Sequence, residues 1–131
     1  MRRQSEEELD FLARIWYSFS MRKATVIHYH VYVVLLDRTV ARIRKVKALN
    51  PRRDARKPCI YVGMTGLEPI ERFKRHKTGY KSSKYVHKYG VRLLPELYEG
   101  LNPMTYDEAV IAEQGLARRL REEGYTVVGG H

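Results

Sequence analysis

Apolar residues recur along this chain with two periods, and the points where the period changes divide it into elements. Ser5-Glu6-Glu7-Glu8 has the form of a capping box, and Leu9, Leu12, Ile15 and Trp16 follow at helical spacing, which predicts a short N-terminal helix. Residues 26–36 are β-branched and aromatic, with His28, His30 and Tyr32 alternating against Tyr29, Val31 and Val33, and they predict a core strand. Helical spacing returns at Leu36, Val40, Ile43 and Val46, up to a stop at Asn50-Pro51. A second strand is predicted over residues 59–63, followed by a turn through Gly66 into a helix over 70–77 with Pro69 in its first turn. A short helix over 82–89 ends at Gly90, and residues 91–98 predict a strand broken by Pro95. Thr105-Tyr106-Asp107-Glu108 is a second capping box, opening a helix to residue 123 that Gly124 closes, and residues 125–128 predict a last strand. There is no repeat and no low-complexity linker. The pattern predicts one compact α/β (α+β) domain: a small, mostly antiparallel central sheet of about three strands flanked by helices, as residue 26–131, preceded by a helical extension over 1–25.

Charge adds a partner to this picture. The 131 residues carry a net charge of +10, unevenly spread. Residues 38–57 hold nine Lys or Arg against one Asp, residues 72–92 hold eight against none, and the final 39 residues hold three basic and seven acidic side chains. One charge run is ordinarily a solvated face, but two basic zones on a polarised chain point to a polyanion such as DNA, with RNA as the variant. Residues 79–89 interleave Lys with Tyr and Ser, a composition that holds phosphates and stacks bases. Cys59 is the only cysteine, so no intrachain disulfide forms. No apolar run approaches a membrane-spanning length, and the expectation is a soluble, cytoplasmic protein.

The candidate chemistry lies where the second strand meets the following helix. Tyr61-Val62-Gly63 ends an apolar strand, and Arg72 and His76 stand one turn apart on the helix behind it, the layout of a phosphate-handling site. Arg72 is permanently charged and forks onto two phosphate oxygens, whereas His76 accepts a proton near neutral pH; on an exposed helix both types are more often only solvated. Glu113 falls on the apolar stripe of Ala109, Leu116 and Leu120, where a carboxylate is costly unless it meets a cation; Mg²⁺ or Mn²⁺ and a pairing Arg or Lys are equally good readings of it. His28 and His30 lack a third ligand at sensible spacing and are not read as a metal site.

Over residues 32–128 these features resemble the GIY-YIG nuclease family. Val31-Tyr32 stands at the first signature and Tyr61-Val62-Gly63 at the second, with Arg72, His76 and Glu113 following in the family's order. His30 replaces the opening Gly, residues 37–58 push the signatures far apart, and Thr126 stands where an Asn is common. The resemblance implies a metal-dependent endonuclease that hydrolyses DNA phosphodiesters. Tyr32 would activate or orient the water, relayed to His76, while Tyr61 orients phosphate, Arg72 contacts it and Glu113 holds the metal. In strands, Tyr ordinarily packs with a hydrogen-bonded tip, and a free phenol is a poor base at neutral pH. Nucleic acid would meet Lys74, Arg75, Lys77, Tyr80, Lys81 and Lys84, and a clamp in residues 38–57 built on Arg42, Arg44, Arg52 and Arg53. Double-strand cleavage would need a homodimer or rebinding, and specificity a partner or this domain itself. The rival reading is a non-catalytic nucleic-acid-binding module that kept the fold.

Overall fold

Both capping boxes stand at helix starts in the computed structural model, which describes residues 5–23 and 27–130, and of residues 15–23 only the backbone. Ser5 Oγ accepts from the Glu8 amide at the head of α1 (Glu6–Lys23), and Thr105 and Glu108 cap each other's backbone at the head of the last helix. α1 is longer than the short helix expected, and Leu9, Phe11 and Leu12 lie exposed on it. Residues 24–26, which include the expected start of the first strand, lie outside the described residues. Pairing starts with an isolated bridge between Tyr29 and Met104, and β1 runs His30–Leu36.

The helix expected through Leu36–Val46 is two pieces. Asp37 accepts from the Thr39 amide and opens a 3₁₀ turn, Arg38–Arg42, and after an extended Ile43 (φ −70°, ψ 127°) comes α2 (Arg44–Leu49). Breaking at Ile43 lets Val40, Ala41 and Val46 all reach the core, which one continuous helix would not allow. Then follow β2 (Cys59–Thr65), α3 (Pro69–Thr78), α4 (Lys84–Tyr89) and β3 (Gly90–Leu93). Two short 3₁₀ turns (Pro95–Leu97 and Glu99–Leu101), α5 (Tyr106–Glu122) and β4 (Thr126–Gly129) complete the chain. Pro95 ends β3 rather than interrupting it, as a residue without an N–H donor must.

Among the described residues four strands form one sheet in the order β3-β1-β2-β4, against the three expected. β1 pairs antiparallel with β2 and β3, and β4 pairs parallel with β2, so the sheet is mixed. Its central strands are buried on both faces, with Val31, Val33, Val34, Ile60 and Val62 fully enclosed.

Two asparagine amides complete the sheet where strands are missing. Beyond the end of β3, Asn102 accepts from the Val31 amide (2.9 Å) and donates to the Val31 carbonyl (2.8 Å). Along β4, the buried Asn50 makes the same pair of bonds to Val127, at 2.9 and 3.0 Å, and also donates to Val46 and accepts from Arg121. Each amide imitates the backbone of an absent strand. The segment between the signatures is thereby built into the core. No helix among the described residues is long and apolar enough to cross a membrane.

Candidate active site

Register brings the two tyrosines together. Tyr32 lies opposite Gly63, and Tyr61 stands two residues before Gly63 on the same face, so the two rings are diagonal neighbours with centroids 6.1 Å apart. A Cβ on Gly63 would stand 2.7 Å from Cζ and the hydroxyl of Tyr32 and 2.8 Å from the Tyr61 ring. The glycine is there because both phenols cross the space a side chain would take. At the edge of the sheet Gly129, with φ +82°, gives Tyr61 the same clearance.

α3 supplies the rest of the constellation. Pro69 opens this helix and Gly79, in a left-handed conformation, closes it. His76, with no exposed surface, faces both tyrosines, and its Nε2 lies 2.7 Å from the Tyr32 hydroxyl. Its other nitrogen, Nδ1, accepts from the Ser83 amide at 3.0 Å. A neutral imidazole carries one hydrogen, and Nδ1 faces a donor, so that hydrogen is on Nε2 and is given to the Tyr32 oxygen. Burial, and then the charge of Arg72, lower the His76 pKa to about 4. His76 is thus neutral near pH 7 and has no lone pair facing Tyr32, which rules out the expected proton relay from Tyr32 to Nε2 in this state.

Arg72, one turn before His76, donates to the Lys81 carbonyl at 2.8 Å and lies close enough to Tyr32 to favour its ionised form. Lys81 has φ 43°, a turn that aims this carbonyl at the guanidinium. Burial, followed by the neighbouring Tyr61, pushes the Tyr32 phenol far above its ordinary value, with Arg72 opposing. With its oxygen receiving the His76 hydrogen, the Tyr32 O–H points to the Tyr61 side of the cleft, because Arg72 has no acceptor. Tyr61 is raised by burial and then by the charge of Glu113, while Tyr32 and Ser83 oppose. Glu113 is only 7% exposed on α5, so a buried carboxylate does stand near Tyr61.

The five residues expected to carry chemistry therefore converge, from β1, β2, α3 and α5. Among the described residues no three His, Cys, Asp or Glu side chains gather as a metal cage. Glu113 beside Tyr61 instead suits a cation such as Mg²⁺, which keeps waters and takes one carboxylate together with substrate phosphate. His28 Nδ1 is bonded to the Gly66 carbonyl, and His30 faces Glu68 at 3.7 Å; neither joins the cluster.

The basic residues divide. Arg75 and Lys81 both lie over the Tyr80 ring, and Lys84 over Tyr85. Lys74 is exposed on α3. Lys77 is spoken for by the fold: its Nζ donates to the His87 and Gly90 carbonyls at the end of α4. Arg42 and Arg53 line one depression and Arg52 a second, while Arg44 lines a third beside Lys84. Ser83 was the residue missed. The short helix, expected from residue 82, starts at Lys84 with Ser83 as its N-cap, and a Ser immediately before a helix seven residues after His76 was the available signal.

Comparison of the chain with family models, with curated proteins and with solved structures returned no match.

Proposed function

We propose that this protein is a divalent-metal-dependent endonuclease that hydrolyses DNA phosphodiester bonds. The observation that carries the reading is the buried contact of the Tyr32 hydroxyl with His76, beside Arg72 and Tyr61 and with Glu113 at their edge. A packing tyrosine needs one partner for its hydroxyl. Tyr32 has a neutral His donor and a guanidinium at one oxygen, two donors that would hold a phenolate against the upward push of burial and of Tyr61.

Hydrolysis needs a proton acceptor near the attacking water and positive charge near the phosphate oxygens. Arg72, anchored through one N–H to Lys81, has its remaining donors for a non-bridging oxygen and for Tyr32. The Tyr32 O–H, turned away from His76, would pass its hydrogen to solvent water in the cleft; the Nε2–H of His76 and the guanidinium then hold the phenolate, which takes a proton from the attacking water as that water's oxygen bonds to phosphorus and the ester oxygen departs. Tyr61 orients the phosphate. Glu113 would hold Mg²⁺ or Mn²⁺, which supplies Lewis-acid stabilisation of developing phosphate charge.

The test is conversion of supercoiled plasmid to nicked form with Mg²⁺, with Mn²⁺ and with EDTA. Nicking is expected with either metal, absent in EDTA, and reduced by about 10²–10³-fold or more in Glu113→Ala and Arg72→Ala. Wild-type protein that shifts the plasmid without cutting it would replace the nuclease by a binding module.

A further inference from the structure

Between α2 and α4 runs a trench that begins at Tyr61. One depression, of about 410 Å³, is lined by Tyr61, Ser83, Lys45, Lys84 and Tyr85 together with apolar residues of α2 and β4. A second adjoins it, sharing Lys45, Lys84 and Tyr85 and adding Arg44, Lys88 and Tyr89. No Asp or Glu lines either one among the described residues. Lys84 and Lys88 are four apart on one helix, as are Tyr85 and Tyr89, so the like charges stand side by side, an arrangement that weakens an isolated helix. Each Nζ lies over the next residue's ring, at 5.3 and 5.2 Å. Arg44 and Lys45 face them from the segment inserted between the signature strands. Nothing in the trench offsets these four cations, and a chain of phosphates passing through would.

Resting on the nuclease reading, we infer that this trench takes an unpaired stretch of the strand being cut, with its phosphates on Arg44, Lys45, Lys84 and Lys88 and its bases against Tyr85 and Tyr89. A groove that combines cations with aromatic faces is how single strands are held without sequence preference. The six residues of α4 extend only about 9 Å, room for one or two nucleotides beside Tyr61 and too short a floor for a duplex. The inserted segment is therefore divided in use. Arg44 and Lys45 belong to the site, while Arg52 and Arg53 line depressions that share no residue with the trench.

The experiment is fluorescence anisotropy in EDTA at a series of salt concentrations. The probes are a labelled single-stranded DNA of about 12 nucleotides, long enough to pass through the trench and out at both ends, and the blunt duplex of the same sequence. The proteins are wild type, Lys45→Ala/Lys84→Ala and Arg52→Ala/Arg53→Ala, all altered at exposed positions. Wild type is expected to bind the single strand more tightly than the duplex. Lys45→Ala/Lys84→Ala should weaken that binding about tenfold at low salt and lower the salt slope by about 1.4, two contacts at about 0.7 each. Arg52→Ala/Arg53→Ala should keep the single-strand preference. An unchanged slope in Lys45→Ala/Lys84→Ala, or a duplex bound as tightly as the single strand, overturns the inference. Because no metal is present, these results do not depend on catalysis, and plasmid nicking reports separately on the nuclease reading.

Discussion

Gly63 and Ser83 control the site without any reactive group of their own. In Gly63→Ala the new Cβ meets both phenol rings under 3 Å, so one of them must leave its rotamer. We expect a loss of about 1–3 kcal/mol in urea-induced unfolding and a larger relative loss of nicking, since displaced tyrosines no longer meet His76. Ser83 acts through its backbone N–H. Its φ of −69° is one proline accepts, so Ser83→Pro removes that N–H, while Ser83→Ala removes only the hydroxyl. Imidazole ¹⁵N shifts should show the Nε2–H form of His76 in wild type and Ser83→Ala, and a mixture of forms in Ser83→Pro with nicking down about tenfold or more. The Nε2–H form persisting alone in Ser83→Pro would remove Ser83 from this role. His76 also ties stability to pH. With its pKa lowered to about 4 from 6.5, it binds fewer protons folded than unfolded between those values. Its contribution is complete above pH 6.5 and is lost as pH falls toward 4. The urea midpoint should therefore drop between pH 7 and about pH 5, and by less in His76→Gln.

At the scale of elements, the helices were legible where local chemistry marks their ends: Ser5, Thr105, Pro69 and Gly90 all stand at the boundaries they signal. The cluster was legible because the resemblance to the nuclease signatures singles out Tyr32, Tyr61, Arg72 and His76, and strand period and helix turn bring them to one side of the sheet. What escaped depended on long-range pairing. The last strand, expected over residues 125–128, is β4, but its parallel partnership with β2, set by the crossover through α3, α4 and α5, was not legible. Asn50 read as a helix stop before Pro51, whereas its side chain is bonded to Val127, 77 residues on. This bond makes the insertion structural. Asn50→Ala leaves the Val127 amide without its partner and the Val127 carbonyl with only the longer bond from Arg121 (3.3 Å), and a loss of about 2–4 kcal/mol in chemical denaturation is expected. A near-neutral result would mean that α2 and β4 are held by other contacts.

For the whole molecule, the net charge of +10 is spread over several basic zones, of which the Tyr80 cluster follows the helix that carries Arg72 and His76 and the trench lies along α2 and α4. Association with DNA should slow steeply with salt, while turnover at saturating DNA changes little, and stopped-flow binding beside single-turnover cleavage separates the two. The asparagine amides matter at this scale too. An open sheet invites a stranger's strand wherever its border N–H and C=O groups face outward. Asn50 and Asn102 occupy those groups at Val127 and Val31. Removing either one would uncover those groups to a neighbouring copy, so beside a lower melting temperature the lesion should show itself as time-dependent oligomers in light scattering.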